Sequence, residues 1–436
     1  MSDAISAPLG VFKELHPADL ADRLQRLPRE EAVDILAELP AVLAAHALGE
    51  MEEEAVVDLL EMISSARIAV LFAELPHDEA ADLAAALPVA TRREVLSALP
   101  PEVAAAVRAL LRYGEETAGG IMTDRFIALR ADMTVQACQE LLRSRRDEPL
   151  DDVTYLYVTD DTGKMAGIVS LRDLVFRRLD RRIGEIMNRD VKCVRTDADQ
   201  EELARQFEHY HYFGLPVLDA DGRLVGVVKA SDILEVANRE ATEDMQLMVG
   251  LSGEERALTP WHKSIRRRLP WLYINLATAF AAAAVVNLFE GTIAKWTALA
   301  IFFPIIAGQG GNAGMQTLTI IIRDLALGEL SPGDGRKALF KEMALGLANG
   351  LAIGIVVGLV GYLWKGNLML GAVAAAAMVL NQIAAATSGV MIPLGLKMFK
   401  VDPALASSIF LTTVTDVAGF FFFLGLAALA MHWAGV

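Results

Sequence analysis

Apolar and polar residues follow three successive patterns along the chain. Up to about residue 112, apolar positions recur at helical spacing and are interrupted by Leu-Pro pairs at residues 27/28, 39/40, 75/76, 87/88 and 99/100. The prolines lie 12 residues apart with one gap of 36, and proline cannot continue a helix. This pattern predicts a solenoid in which each unit is one short helix with one apolar face.

The second pattern is an internal repeat. Ile121-Met122 returns as Ile186-Met187, and residues 157–175 return as residues 216–234. The first copy carries a few extra residues, near 146–152. In each copy, two β-rich runs flank a glycine-bearing turn, DDTG or DADG, and a helix follows, which predicts an α+β unit. One more helix, acidic along residues 235–250, is predicted to connect the repeat to the rest of the chain.

The third pattern is five apolar segments, each longer than the roughly 20 residues that a helix needs to cross a bilayer. They cover residues 269–289, 296–327, 338–364, 368–396 and 404–433. Ten Lys and Arg residues flank one side of this arrangement and two flank the other. The excess of positive charge predicts a cytoplasmic N-terminal region and a C-terminus outside.

Polar residues interrupt the second apolar segment. The stretch PIIAGQGGNAGMQ (residues 304–316) holds four glycines together with Gln309, Asn312 and Gln316 at mid-membrane depth. Unpaired polar groups are costly in lipid, so these residues must face water or protein. Close helix packing through small residues is the alternative explanation. It accounts for the glycines but not for the three amides, which favour an ion path.

Asp416 is interpreted as the only acidic residue deep inside an apolar segment. A buried charge needs water or a partner, and no Lys or Arg is placed to pair with it in the membrane. A protonated or helix-bonded aspartic acid is the structural alternative. Carboxylate, amide and hydroxyl oxygens suit Mg²⁺ or Ca²⁺ rather than Zn²⁺ or Cu⁺, and a symmetric dimer would offer a hydrated Mg²⁺ two carboxylates.

Composition and charge narrow the classes of function. Of the 436 residues, 54% are hydrophobic; residues 1–262 hold 49 acidic and 28 basic side chains, and residues 263–436 hold 7 and 12. An acidic soluble region argues against nucleic acid and fits either simple solubility or attraction of cations. Two cysteines without metal-type spacing indicate a reducing cytosol, and no cleavable signal peptide is predicted. No catalytic motif indicates an enzyme.

The repeat resembles tandem CBS (cystathionine-β-synthase-like) modules, on the endings GIVSLRD and GVVKASD. The resemblance implies a pair of modules that often holds an adenine nucleotide through a hydroxyl and an aspartate three residues later. Ser170 and Asp173 match that pattern in the first copy, which makes ATP a candidate ligand. In the second copy, Lys229 stands where Ser or Thr is usual before Asp232.

Nearly the whole chain resembles the MgtE family of magnesium channels. The matching stretches are YGEETAGGIMT (113–123), EATED (240–244), FEGT (289–292), PIIAGQGGNAGMQ, DPA (402–404) and TTVTDVAG (412–419), in that order around the CBS pair. The resemblance implies a homodimer with five transmembrane helices per subunit and a pore on the dimer axis. It makes Asp416 the selectivity carboxylate, places Asn312 and Pro304 along the pore, and places Glu290 at its outer end.

The same resemblance gives the cytoplasmic acids a role, because Mg²⁺ bound between acidic surfaces would hold the gate closed. The residues at matching positions are Asp78, Glu79, Asp82, Glu201, Glu202, Glu240, Glu243, Asp244 and Asp402. Like charges packed together repel without a cation, so Mg²⁺ would shift a two-state balance by its differential affinity. An ordinary solvated acidic surface is the alternative for each residue alone.

The sequence therefore predicts a multidomain protein: an all-α helical solenoid (1–118), an α+β tandem CBS pair (119–183 and 184–234), a connecting helix (235–268) and a five-helix α transmembrane domain (269–436). The expected function is a Mg²⁺-selective channel of the inner (plasma) membrane that mediates Mg²⁺ influx and closes when cytoplasmic Mg²⁺ binds. Two alternatives are a broader divalent carrier, passing Co²⁺ or Mn²⁺ or coupled to Na⁺ or H⁺, and a membrane-anchored nucleotide sensor.

Overall fold

The computed structural model of this chain describes residues 9–145, 154–251, 255–257, 259–330 and 333–434. It divides into two compact units, residues 1–237 and residues 238–436, and each is described by itself. The extra residues predicted in the first repeat copy, near 146–152, lie outside the described residues. The predicted fold class is confirmed: a helical solenoid, an α+β repeat, a connecting helix and five long apolar helices follow one another along the chain.

The solenoid consists of short helices joined by tight turns. Its helices are α1 (Leu9–Lys13), α2 (Pro17–Leu24), α3 (Arg29–Glu38), α4 (Ala41–Gly49), α5 (Glu53–Leu60), α6 (Ser65–Phe72), α7 (His77–Ala86), α8 (Val89–Ala98) and α9 (Pro101–Leu110). Each helix from α2 to α7 packs on the helix two positions further along, so the apolar faces form one continuous core.

The Leu-Pro pairs work as helix boundaries, with a role for each residue. Each proline is the N-cap of the next helix, where its missing N–H is harmless, and the leucine before it is buried or packs against the core. The gap of 36 residues in the proline spacing contains α5 and α6, which begin without proline. The Ser64 hydroxyl caps α6 instead, accepting a hydrogen bond from the Arg67 amide at 3.4 Å.

The two repeat copies form two three-stranded sheets with the same topology. The first copy contains α10 (Ala118–Ile121), β1 (Ala128–Arg130), α11 (Val135–Ser144), β2 (Tyr155–Thr159), β3 (Met165–Ser170) and α12 (Leu171–Phe176). The second contains α13 (Ile183–Ile186), β4 (Val194–Arg195), α14 (Gln200–Tyr210), β5 (Gly214–Leu218), β6 (Leu224–Lys229) and α15 (Ala230–Met248). In each sheet the first strand runs parallel to the second, and the second and third form an antiparallel hairpin.

Equivalent turns close the two hairpins. Gly163 and Gly222 have φ values of +81° and +78°, a left-handed conformation that favours glycine. The aspartate at the start of each turn accepts two backbone hydrogen bonds: Asp160 Oδ1 from residues 162 and 164, and Asp219 Oδ1 from residues 221 and 223. The DDTG and DADG stretches therefore form the turns that the sequence predicts.

The second unit contains five helices that are long and apolar enough to cross a membrane. Its elements are α16 (Trp261–Leu288), α17 (Glu290–Lys295), a 3-10 helix (Thr297–Phe302), α18 (Phe303–Ala326), α19 (Gly335–Lys365), α20 (Leu368–Met398) and α21 (Ser407–Ala434). The basic cluster HKSIRRR (residues 262–268), which directly precedes the first apolar segment in the sequence, lies inside the first turns of α16. A helix can extend beyond the bilayer without a break, so charge composition alone does not mark its first residue.

Glycines set the closest helix contact in this unit. Gly346, Gly350, Gly354 and Gly358 recur every four residues on α19, and a Cβ added at any of them would lie within 3.0 Å of the α20 backbone or a small α20 side chain. Gly366, with φ +63°, and the Asn367 N-cap join the two helices. Helix α20 is the most enclosed of the five. Half of its most apolar stretch is buried, compared with 6% of the corresponding stretch of α16.

Candidate functional site

Helix α18 has one buried face and one open face. Gly310, Gly314 and Thr317 are buried against α20 and α21, whereas Pro304, Gly308, Asn312 and Gln316 are exposed. Pro304 lies in the first turn of α18, directly after the 3-10 helix, where its missing N–H removes no hydrogen bond from the helix interior. The glycine-rich stretch is a regular helix whose polar side chains line its open side.

Asp416 lies in the middle of α21 and is half-buried. No salt bridge joins it to another of the described residues. The neighbouring hydroxyls bond to their own helix: Thr412 and Thr413 donate to the Ile409 carbonyl at 3.1 and 2.7 Å, and Thr415 donates to the Thr412 carbonyl. The carboxylate of Asp416 is therefore the chemically available group on this part of α21.

Two buried amides on α20 were not singled out in the sequence. Asn381 Nδ2 donates to the Ile306 carbonyl at 2.9 Å, and Gln382 Nε2 donates to the Gln309 carbonyl at 3.2 Å. Both side chains are almost completely buried, and neither side-chain oxygen has a hydrogen-bond partner among the described residues. An Asn-Gln pair in the middle of an apolar segment was the signal that could have revealed them.

Glu342 corrects the prediction that Asp416 is the only deep acidic residue. This side chain lies on α19, is 4% exposed, and accepts a hydrogen bond from the Thr317 hydroxyl of α18 at 2.9 Å. The exposed Lys341 ammonium lies 2.8 Å from the other carboxylate oxygen. The sequence places Glu342 near a helix end, where it could be solvated, and only packing against α18 reveals that it is enclosed.

In the first unit, two of the expected metal-binding acids lie at the start of α7. Asp78 accepts a hydrogen bond from the Thr123 hydroxyl at 3.2 Å, and beside it His77 Nδ1 lies 2.8 Å from Asp124 Oδ2. Burial raises the pKa of Asp78 and also raises the pKa of Glu79 to about 7, helped by the Asp78 charge. Asp82, one turn further along α7, is exposed.

Lys229 lies close enough to oppose these shifts. Its positive charge lowers the pKa of Asp78, Glu79 and Asp232, although burial still leaves the pKa of each carboxyl above its usual value. The residue that replaces the usual hydroxyl in the second CBS copy therefore acts electrostatically on the acids of the solenoid. The sequence pattern alone links Lys229 only to nucleotide binding.

The remaining acids occupy separate places. Glu201 and Glu202 are exposed in the first turn of α14, and Arg205 reaches them at 3.8 and 3.1 Å. In the second unit, Glu240, Glu243 and Asp244 are half-buried along one face of α15. Asp402 is exposed, with Oδ1 accepting from the Ala404 amide at 2.7 Å, and Glu290 is exposed in α17. No cluster of three or more metal-type ligands occurs among the described residues.

The end of α15 contacts the helices that carry Asn312 and Asp416. Leu247 and Met248 pack with Leu318 of α18 and Leu411 of α21, and the Leu247 carbonyl accepts from the Ala406 amide at 2.8 Å. Gln246 also exchanges two hydrogen bonds with the Glu255 backbone, at 2.7 and 2.9 Å. A displacement of this end of α15 would therefore change its packing contacts with α18 and α21.

The candidate nucleotide residues are joined at the start of α12. Ser170 Oγ donates to Asp173 Oδ2 at 2.7 Å and accepts from the Asp173 amide at 3.1 Å. Tyr155 pairs with Ser170 across the hairpin, and its ring lies 6.5 Å from the ring of Phe213. Two aromatic rings beside a hydroxyl and a carboxylate suit a planar base with a ribose, and the two rings were missed in the sequence.

Comparisons with known protein families match the solenoid, the two CBS copies and the apolar helices as separate segments of the chain. Family profiles match residues 15–116 (MgtE intracellular N domain), residues 118–180 and 183–239 (CBS domain) and residues 303–426 (divalent cation transporter). The magnesium transporter MgtE of Thermus thermophilus is 36% identical over 97% of this chain and 94% of its own length, and that of Bacillus subtilis is 30% identical over 97% and 93%. The chain belongs to the MgtE family.

Solved structures support the same assignment for the soluble region. The crystal structure of the cytosolic domain of the Mg²⁺ channel MgtE in complex with ATP has 38% identity and a TM-score of 0.50, covering 52% of this chain and 93% of that chain. The soluble part of a magnesium transporter gives 32% identity and the same TM-score, covering 53% and 91%. With its five apolar helices, this MgtE-family member is a membrane protein with a soluble N-terminal region.

Proposed function

We propose that this chain is a Mg²⁺-selective channel that mediates Mg²⁺ influx and closes when cytoplasmic Mg²⁺ binds between its acidic surfaces. The observation that carries the proposal is the half-buried Asp416 carboxylate, which has no counter-ion among the described residues, in a unit whose α18 presents Asn312 and Gln316 on an open face. A buried carboxylate without a cation is costly, so an exchangeable cation suits this position. The magnesium transporters named among its relatives favour Mg²⁺.

The proposed assembly is a homodimer in the inner (plasma) membrane. One Asp416 per chain is too few to replace the water shell of Mg²⁺, whereas two related by a twofold axis can contact a hydrated ion from both sides. The excess of Lys and Arg on one side of the five helices supports a cytoplasmic N-terminal region and an outer C-terminus. Glu290, exposed in α17, then lies at the outer end of the path.

The proposed division of labour follows the predicted domains: residues 1–118 and the CBS modules at 119–183 and 184–234 sense, residues 235–268 connect, and residues 269–436 conduct. Closure involves Asp78, Glu79, Asp82, Glu201, Glu202, Glu240, Glu243, Asp244 and Asp402 as candidate Mg²⁺-binding acids. Contacts of Leu247 and Met248 with α18 and α21 supply the route to the ion path. ATP binding at Ser170 and Asp173 is proposed for the first CBS copy only, and the chain is proposed to have no enzymatic activity.

The decisive experiment is Mg²⁺ flux into proteoliposomes containing the full-length chain. Asp416→Ala removes the carboxylate, and we expect flux to fall to that of protein-free vesicles, with Asp416→Asn intermediate, because a buried group aimed at a cation contributes most where water is excluded. Glu329→Gln is the control, since Glu329 is exposed and ion-paired with Arg323. Mg²⁺ flux of Asp416→Ala equal to that of the parent protein would refute the proposal. Flux that depends on a Na⁺ or H⁺ gradient would favour the coupled carrier.

A further inference from the structure

Asn381 is a polar side chain enclosed among three apolar helices. It lies in the middle of α20, is 0% exposed, and directs its amide nitrogen at the Ile306 carbonyl of α18, 2.9 Å away. That carbonyl belongs to the first turns of α18, so the hydrogen bond fixes α18 against α20 near its outer end. Among the described residues the amide makes one hydrogen bond and its buried oxygen makes none, which is costly and suggests that its place serves more than packing.

Two glycines from different helices meet this amide. A Cβ added at Gly419 of α21 would lie 2.8 Å from Asn381 Nδ2, and a Cβ added at Gly310 of α18 would overlap the same group. The amide tip is held by Ile306, so it has little freedom to move aside. The backbones of α18 and α21 therefore both lie directly against the Asn381 amide, and the size of this amide sets the distance between the two helices.

Helix geometry connects this contact to Asn312 and Asp416. Asn312 follows Gly310 by two residues, which is about 200° around the helix. Because Gly310 packs against Asn381, Asn312 lies on the opposite, open face of α18. Asp416 precedes Gly419 by three residues, about 60° around α21 and less than one turn along it. The amide thus lies within one turn of both side chains without belonging to the open face itself.

We propose that Asn381 is a positioning residue that sets the spacing of α18 and α21, and through it the selectivity of the ion path. This inference rests on the proposed function, because it assumes that Asn312 and Asp416 face the permeating ion. A hydrated Mg²⁺ is recognised by groups at fixed distances, so a change in helix spacing alters which hydrated ion fits. Asn381 itself contacts helices and not the ion.

The adjacent amide provides a matched control. Gln382 is equally buried and also donates to a carbonyl of α18, that of Gln309, at 3.2 Å. Where the two amide residues meet glycines, Gln382 lies against Gly346 and Gly350 of α19, whereas Asn381 lies against Gly310 of α18 and Gly419 of α21. Removing either amide deletes one hydrogen bond to α18. Removing Asn381, but not Gln382, is expected also to change the spacing of α18 and α21.

The test is the ratio of Mg²⁺ flux to K⁺ flux in proteoliposomes containing full-length variants. Asn381→Leu removes the amide, and Gly419→Ala pushes α21 away from it. We expect each to lower the ratio about tenfold, which corresponds to about 1.4 kcal/mol of discrimination. The double variant Gly419→Ala with Asn381→Ser returns the lost space and is expected to recover most of the ratio. Gln382→Leu is expected to keep the parent ratio.

The outcomes separate the inference from the function on which it rests. A parent-like ratio in both Asn381→Leu and Gly419→Ala, or an equal fall in Gln382→Leu, would overturn the positioning role. If Asn381→Leu does not assemble, Gly419→Ala and the double variant decide the question, because recovery requires the specific contact. Loss of Mg²⁺ flux in Asp416→Ala, measured alongside, shows that the proposed function stands even where the positioning role fails.

Discussion

At the scale of single residues, Glu342 illustrates how a charged side chain is accommodated in an apolar helix. Its carboxylate is enclosed between α19 and α18, accepts from the Thr317 hydroxyl, and has the Lys341 ammonium beside it. Lys341 is exposed, because a long side chain can extend towards water while its charge still faces the carboxylate. The hydrogen bond between Thr317 and Glu342 therefore connects α18 to α19, and the carboxylate stays away from the open face of α18.

We predict that Thr317→Val lowers the thermal stability of the full-length protein in detergent. A buried acceptor that loses its donor costs about 1–3 kcal/mol, and the carboxylate of Glu342 has no replacement among the described residues. Thr278→Val is the matched control, because the Thr278 hydroxyl makes an exposed hydrogen bond to the Asn275 carbonyl of its own helix. Equal melting temperatures for the two variants would show that the Thr317 hydrogen bond is not stabilising.

Glu79 gives a prediction for pH. Burial and the Asp78 charge hold its pKa at about 7, above the usual 4.5, so the folded protein binds more protons than the unfolded chain between these values. The stability of the soluble region should therefore fall as pH rises from about 4.5 to about 7 and change little above that range. Melting temperatures across this range measure the slope. Glu79→Gln should flatten it, and an unchanged slope would assign it to other groups.

At the scale of elements, the two CBS copies share one topology and differ at one position that matters for ligands. Ser170 caps α12 and bonds Asp173 in the first copy, whereas Lys229 in the second faces Asp78, Glu79 and Asp232. Lysine has no hydroxyl to offer a ribose, and the positive charge of Lys229 instead lowers the pKa of these three carboxyls. The second copy therefore acts electrostatically on the acids of α7.

We predict that ATP binds once per chain, at the first copy. Asp173→Ala should weaken binding at least tenfold in calorimetric titration, because it removes a polar anchor worth more than about 1.4 kcal/mol. Phe213→Ala should weaken it by a similar factor through lost stacking. Asp180→Ala is the control, since Asp180 is exposed and pairs with Arg178. Parent-like binding by Asp173→Ala, or no saturable heat with the parent, would exclude this site.

Elements were predictable from the sequence where one residue type repeats at a fixed spacing. Leu-Pro pairs located the solenoid helices, and apolar length located the five membrane helices. Contacts between distant segments leave no such signal: Asn381 and Ile306 are 75 residues apart, and nothing periodic links an amide to a carbonyl. The sequence suggested Asn312 and Asp416 as site residues. The Asn-Gln pair inside an apolar segment could have drawn attention to Asn381 and Gln382, but not to their partners on α18, and the burial of Glu342 left no signal.

At the scale of the whole molecule, the prediction concerns regulation by internal Mg²⁺. Without a bound cation, the acids of the soluble region repel one another, so Mg²⁺ would favour a closed arrangement by its differential affinity. We expect deletion of residues 1–118 to raise the Mg²⁺ concentration needed for closure, measured as flux into proteoliposomes with Mg²⁺ inside. Neutralising Asp78, Asp82, Glu240, Glu243, Asp244 and Asp402 together should make flux less sensitive to internal Mg²⁺.

Monovalent salt is the control for this regulation. Raising it at constant Mg²⁺ screens diffuse surface charge but largely spares ions held between carboxylates, so specific closure should persist. Protease digestion provides an independent readout, because bound Mg²⁺ should protect the linkers near Gly119 and Gly250. Unchanged cleavage across millimolar Mg²⁺, together with unchanged flux in the neutralised variant, would show that the soluble region does not sense Mg²⁺.

The glycine contact between α19 and α20 has a consequence for biosynthesis. The two helices are joined by only Gly366 and Asn367, and they approach closely at the four glycines of α19 described above. Contacts this local form without waiting for distant parts of the chain, so the hairpin can leave the translocon as a finished pair. Helix α18, synthesised earlier, gains its partners Asn381 and Gln382 only when α20 arrives.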